Sequence, residues 1–444
     1  MNIQLSDHFT YRKLFRFTLP SIVMMIFTSI YGVVDGFFLS NFVGKTPFAA
    51  ANFIWPFVMV LGSVGFMFGT GGSALVAKTM GEGDHERANR YFSMLVYTSA
   101  GIGVMLMAVG LIALRPVAIL LGAEGEMLTY CVRYGQILLI ALPFYVLQME
   151  FQSFFVTAEK PGLGLAMTVI AGVTNMVLDA LLVGIFPFGL EGAAVASAIS
   201  QCLGGVAPIL YFARKNTSLL RLTKTRFDGR ALLKACTNGS SELMSNVSMS
   251  LVGMLYNIQL LAYAGEDGVA AYGVLMYVNL IFLAAFIGYS IGTAPIVGYH
   301  YGAENRAELQ SLLKKSIVII GGVSVGMVLL SIGLARPLSA LFVGYDAALM
   351  ALTCRGFYIY SFAFLFAGYA IFGSGWFTAL NDGPTSALIS FLRTLVFQVA
   401  AVLTLPLIWG IDGIWWSVVA AEAMAVAVSA VLLAVKQNRY GYFA

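Results

Sequence analysis

Charge is what this chain has least of. Only 10% of its 444 residues are Asp, Glu, Lys or Arg, where a soluble domain carries roughly 25%. Cysteine is also scarce: Cys131, Cys202, Cys236 and Cys354 show neither CxxC nor His-paired spacing, so they read as small apolar residues rather than a disulfide or metal framework. With three histidines, no metal cluster is in view and no metal or other cofactor is expected. A phosphate loop is missing as well. VGKT at 43–46 ends like one, but the first glycine it needs would fall at Leu39. Paired-aspartate prenyltransferase motifs are absent, which leaves no enzyme chemistry to assign. The net charge of +4 forms no patch suited to nucleic acid.

Apolar sequence fills the space that charge leaves. Hydrophobic residues make up 59% of the chain, the mean hydropathy is +0.87, and long apolar runs recur. Such runs fit helices crossing a hydrocarbon layer of about 30 Å. Twelve spans are predicted, near residues 14–41, 52–77, 91–114, 131–155, 162–186, 191–213, 237–262, 270–298, 314–335, 355–378, 384–408 and 413–435. The polar first thirteen residues lack a cleavage pattern, so the first span is expected to be retained. Nineteen of the 25 Lys and Arg residues fall on one side of the twelve-span layout. Lys45, Arg115, Arg133, Arg336 and Arg355 lie opposite, and Arg393 lies within a span. This asymmetry predicts cytoplasmic termini. The stretch 214–234, with seven basic residues, reads as a topology anchor and linker.

The chain repeats itself. A shift of 221 residues carries Gly44 onto Gly265, Gly81 onto Gly302, Arg115-Pro116 onto Arg336-Pro337, and Thr157-Ala158 onto Thr378-Ala379. An even number of spans per half makes the repeat parallel, with its pseudo-two-fold axis along the membrane normal. The expectation is an all-α polytopic membrane protein with two six-helix bundles around a central cleft. The lobes would cover residues 1–213 and 237–444, joined by a basic cytoplasmic linker over 214–236.

Differences between the halves locate candidate chemistry. Asp35, Glu150 and Asp179 have Tyr256, Ile371 and Ala400 as their counterparts, so three intramembrane carboxylates belong to the first half alone. Asp35 lies about 28 Å along its helix from Arg16, and Asp179 about 27 Å from Pro161, which puts both at similar depth. Asn175, one turn before Asp179, shares its face. An ionised carboxylate facing lipid costs several kcal/mol, so these groups should face the bundle interior. Two of them at one depth describe a cation or proton site. The alternative is that hydroxyls such as Thr28, Thr157 or Thr174 satisfy each one separately. In the second half, Asn238, Glu242, Asn246 and Ser250 form a polar stripe that should line water or the cleft. Arg393 and Glu422 are expected to pair with each other. Met149 and Phe154 on span 4, and Met276, Tyr277 and Tyr289 on span 8, suit a cleft for apolar ligands. GTGGS at 69–73 reads as close helix packing.

The first span, PSIVMMIFTSIYGVVDG, places Asp35 fifteen residues after Pro20. Together with GTGGSALVAKTMGEGDHERANRYF at 69–92 and TAEKPGLGLAMTVIAGVTNMVLDALLV at 157–183, it resembles multidrug and toxic compound extrusion (MATE) transporters, in particular their DinF/MepA-like branch. The resemblance spans essentially the whole chain. It implies drug export driven by H⁺ or Na⁺ entry; two carboxylates at one depth tip the expectation toward H⁺, with apolar, cationic compounds exported by alternating access. Asp35, Asn175 and Asp179 would bind the coupling ion, and Glu150 and Glu242 would relay protons or meet substrate charge. The NorM-like branch has a span 7 glutamate where this chain has Met249. The expected setting is a monomer in a cell (inner) membrane, with the lipid bilayer, the drug and H⁺ or Na⁺ as its partners. A lipid or polyisoprenoid-oligosaccharide flippase of the same superfamily is the alternative, with a channel or sensor behind it.

Overall fold

The computed structural model describes residues 3–442, and its regular structure among them is entirely helical. Eleven helices are long and apolar enough to cross a membrane. One of them, Gly229–Gly302, runs for 74 residues and is interrupted at Gly265 (φ 64°, ψ −152°). A straight helix of that length would reach about 110 Å. Instead its two ends both lie against Lys45–Gly81, near Gly71 and near Gly81. The segment therefore folds back at Gly265 and supplies two spans. We number the spans 1 (Tyr11–Phe42), 2 (Lys45–Gly81), 3 (His85–Leu120), 4 (Gly125–Thr157), 5 (Pro161–Ile185), 6 (Gly189–Ala213), 7 (229–264), 8 (266–302), 9 (Arg306–Val343), 10 (Ala347–Ala379), 11 (Gly383–Trp409) and 12 (Ile411–Tyr440). Two six-helix bundles result.

The repeat holds at the level of backbone conformation. Gly44 (φ 94°) and Gly265 (φ 64°) turn the chain between the first and second spans of each half, a conformation in which a side chain would be strained. Helix N-caps Asp84 and Asn305 are related by the same shift, and each accepts a bond from the backbone N–H three residues on.

Where the halves meet, they do so through glycine. A methyl group added to Gly81 would lie 1.9 Å from the Tyr299 carbonyl oxygen, and one on Gly302 would lie 2.0 Å from that of Lys78. The shift of 221 maps each contact onto the other. Gly71 against Gly239 and Gly292 against Thr18 are related in the same way. This is an isologous interface made within one chain. By contrast Gly32, Gly36, Gly253 and Gly273, nearer the opposite ends of spans 1, 7 and 8, have nothing within 4 Å of the added carbon. The halves are thus pressed together on the side that carries the termini.

Two segments outside the spans reinforce that closed side. Leu5 and Phe9 are fully buried. The Leu5 N–H donates to Glu159 of the first half at 2.6 Å, and the Phe9 N–H donates to Glu308 of the second at 2.9 Å. Span 7 begins at Gly229, capped by Asp228, earlier than the hydropathy suggested. The preceding link is tied to span 3: the Arg221 N–H donates to Asn89 at 2.7 Å and the Thr223 N–H to Ser93 at 2.8 Å. At the mouth of span 11, burial works to raise the Asp382 carboxyl. Bonds from Lys436, Thr385 and Tyr440 outweigh it and hold the group below its ordinary range.

A side chain forced into the glycine contacts overpacks two backbones that cannot both withdraw. Gly302→Ala and Gly239→Ala are each expected to cost about 1–3 kcal/mol, seen as a lower melting temperature in detergent. Gly36→Ala should melt as the parent does. Unchanged melting of Gly302→Ala would contradict the interface.

Candidate functional site

Span 1 brings Asp35 to the interior of the first half, and span 5 brings Asp179 to meet it. Gly172 permits the approach, since a methyl group there would lie 2.6 Å from the Phe27 ring and 2.9 Å from that of Tyr31. The two carboxyl groups stand within hydrogen-bonding reach of each other. Asp179 is fully buried. Neither of its oxygens, nor Oδ1 of Asp35, receives a hydrogen bond from another donor among the described residues. Tyr31 lies within electrostatic reach of Asp35, and Tyr134 of span 4 within reach of both carboxyls. Asn175 is buried, donates to Ser197 of span 6 at 3.3 Å, and keeps its Oδ1 unpartnered. Directly after Asp179 the helix widens into a π turn, Ala180–Ile185. Such turns recur at functional positions in helices.

The hydroxyls offered as separate partners for the carboxylates do not play that part. Thr28, Thr157 and Thr174 each donate to the carbonyl four residues back in their own helix, the usual resort of a threonine away from water. Glu150 is fully buried and does have a partner that sequence reasoning missed: Ser99 of span 3 donates to its Oε2, while Oε1 stays unpaired. Ser197, Tyr134 and Ser99 carried no sequence signal, because single hydroxyls in alanine-rich or mixed apolar runs have no periodicity to read.

Between the halves lies a small chamber of about 40 Å³. Span 7 contributes Glu242 to it. Thr70 and Ser73 face it from span 2, Ser153 from span 4, Ser290 from span 8 and Thr378 from span 10. Along the stripe of span 7, Asn246 donates to the Glu242 carbonyl at 2.8 Å, and Asn238 donates to Asn381 at 2.7 Å. The polar stripe therefore does face the space between the halves at Glu242.

Several residues expected in the cleft sit elsewhere. Phe154 is fully buried in the first half, edge-on to Phe92 at 4.9 Å. Met149 is buried in the core formed around Tyr145 and Val146. Tyr289 is buried and shares a hydroxyl–hydroxyl hydrogen bond with Ser316 at 2.9 Å. Tyr277 stacks on Phe342 of span 9, and both rings are well exposed. Met276 packs against the core of the second half. In a membrane helix every face is apolar, so composition does not separate a cleft face from a core face. GTGGS behaves as its sequence suggests: Gly69 lies on the span 4 backbone at Glu150 and Gly71 on span 7.

Arg393 and Glu422 form a bidentate pair at 2.8 and 3.0 Å, both largely buried. Arg393 stands on a second π turn, Leu392–Val396, and lies within electrostatic reach of Glu242.

Twelve apolar spans in two bundles, with polar groups directed to the interior and a chamber between the halves, define a multi-pass membrane transporter rather than an enzyme. The MatE family model matches residues 20–181 and again 243–403, once in each half, and the chain belongs to that family. It is 23% identical to the multidrug export protein MepA of Staphylococcus saprophyticus over 424 residues, covering 95% of this chain and 93% of the relative. To MepA of Staphylococcus aureus it is 21% identical over the same length. Among solved structures it resembles an outward-facing multidrug resistance MATE family transporter of the MOP superfamily (TM-score 0.93, 21% identity, 100% and 99% covered). It also resembles a MOP superfamily transporter from Pyrococcus furiosus described as having a binding pocket of reverse polarity (TM-score 0.90, 20% identity, 98% and 97% covered).

Removing Arg393 leaves a buried carboxylate without its partner. Arg393→Ala is expected to cost about 3–5 kcal/mol of stability, and the double change Arg393→Met with Glu422→Leu should recover most of it. Thermal unfolding in detergent reads both. Equal losses in the single and double variants would contradict a mainly structural pair.

Proposed function

We propose that this protein is an ion-coupled multidrug efflux antiporter that exports apolar, cationic compounds by alternating access, driven by H⁺ entry. The observation that carries the reading is the facing pair Asp35 and Asp179 inside the first half. Two ionised carboxylates in contact in a low dielectric repel strongly, so the pair holds a proton or a cation between them in the resting state. Releasing that ion removes what holds spans 1 and 5 together at this depth. The change of state is then available to the space between the halves. Each proton entering down about 100 mV supplies roughly 2.3 kcal/mol.

The relatives named multidrug export proteins agree with a drug-like cargo. Charge in the chamber agrees with a cationic one. Glu242 is its charged lining residue, and the basic group within its electrostatic reach, Arg393, is already engaged by Glu422. A flippase for phosphate-bearing lipids needs the opposite polarity. The excess of Lys and Arg on the side of the termini supports a cytoplasmic location for both. The closed face would then look inward, and the chamber would receive its cargo when the glycine contacts part.

Sodium is the second reading, because Asn175 Oδ1 and the two carboxylates form a set of hard oxygen donors. Efflux from proteoliposomes separates the two. Under the proton reading a pH gradient alone drives export, and Asp35→Asn abolishes it while the protein inserts and binds drug. A strict sodium requirement contradicts the proton reading. Full export by Asp35→Asn contradicts the pair altogether.

Glu242 is expected to meet substrate charge. Glu242→Gln should weaken export of cationic drugs by about tenfold, the worth of one partly screened charge contact, and leave neutral substrates near the parental rate. Equal effects on both classes would remove Glu242 from recognition.

A further inference from the structure

Beyond the carboxylate pair, the first half contains buried amides that its packing does not explain. Gln148 and Gln152 stand one turn apart on span 4, and Gln201 stands on span 6. All three are more than nine-tenths buried. Oε1 of Gln148, both polar atoms of Gln152 and Oε1 of Gln201 find no hydrogen-bond partner among the described residues. Buried amides in native proteins are satisfied almost without exception, by protein or by ordered water. A run of such groups in one place therefore marks a wet site.

Their heights fall in sequence. A cavity of about 10 Å³, room for about one water, lies between spans 4, 5 and 6, is lined by Gln148, Gln152 and Thr168, and reaches Gly164 and Phe155 at its lower end. Gly164 lies about 6 Å from Lys160, at the mouth of the helix on the side of the termini. Gly204 of span 6 is the neighbour of Gln148, since a methyl group there would lie 2.7 Å from the amide carbon. One turn above Gly204 stands Gln201. Ser200 beside it donates to the Ala171 carbonyl of span 5 at 2.7 Å, and Ser197 receives Asn175. Asn175 is one turn from Asp179. From Thr168 to Asp179 the rise is about 16 Å, with an unpaired polar atom on nearly every turn.

We propose that this column holds a chain of water between spans 4, 5 and 6, and that the proton leaves the Asp35–Asp179 pair along it toward the side of the termini. Hydroxyl and amide groups both donate and accept, so water between them relays a proton without any ionised side chain in the path. The column lies within the first half, whereas the chamber with Glu242 lies between the halves. Ion and drug then take separate routes. The inference rests on the reading of Asp35 and Asp179 as the coupling pair.

The test uses the full-length protein in proteoliposomes. Gln148→Leu with Gln152→Leu keeps side-chain volume and removes the relay groups. Export driven by a pH gradient should fall by about tenfold or more, while drug affinity stays within about twofold of the parent. Export at the parental rate by the leucine pair, alongside loss of export in Asp35→Asn, overturns the column and leaves the carboxylate pair standing. Full export by Asp35→Asn removes both. Should the leucine variant not fold, hydroxyl-radical footprinting of the unmodified protein gives the answer. Phe155 lines the cavity and is buried, and the equally buried Phe364 of the second half serves as a dry control. Oxidation of Phe155 well above that of Phe364 is expected, and equal protection of the two overturns the proposal.

Discussion

Two carboxyl groups facing each other in an apolar bundle set the terms for the rest of this molecule. At about 4 Å and an effective dielectric near 20, two unit charges repel by about 4 kcal/mol, a large share of the stability of any domain. The bundle tolerates Asp35 and Asp179 together only with a positive charge or a proton between them. Spans 1 and 5 are shaped to bring the groups together: Gly172 removes a side chain where Phe27 and Tyr31 must pass, and span 5 changes to a π turn immediately beyond Asp179. Asn175 and Ser197 complete a polar lining on the same face.

A site of this kind does work only if the scaffold around it has two arrangements of similar energy. The glycine interface supplies one of them. Helices in lipid gain little from burying apolar faces, so they associate where small residues let backbones touch. Here Gly71, Gly81, Gly239, Gly292 and Gly302 provide such contacts, in pairs related by the internal repeat. The buried segment from Leu5 to Phe9, anchored to Glu159 and Glu308, spans the same seam and adds to its cohesion.

Much of this architecture was legible in the sequence, and the reasons are physical. Gly44 and Gly265 could be matched because only glycine suits the conformation at both turns. Asp35 and Asp179 could be placed at one depth because helical rise is constant and a carboxylate in a membrane has few places to be. The pairing of Arg393 with Glu422 followed from the same scarcity of charge. Rotation of the helices was not legible. Phe154, Met149 and Tyr289 were assigned to the cleft and lie in cores, since lipid-facing, core-facing and cleft-facing surfaces share one composition. Ser99 and Ser197 were missed for a related reason: a single hydroxyl reveals its partner only once neighbouring spans are in place. The buried glutamines of spans 4 and 6 carry no charge, and a neutral amide within an apolar run does not by itself mark a polar site.

Drug and ion are exchanged through this pair only if taking up the drug lowers the hold of Asp35 and Asp179 on their ion. Proton release on adding a cationic drug to the detergent-solubilised protein in weakly buffered solution measures this most directly. The account predicts a release that saturates with drug occupancy in the parent and is absent in Asp35→Asn, although that variant still binds the drug. Equal release from both proteins, or none from the parent at saturating drug, would contradict it.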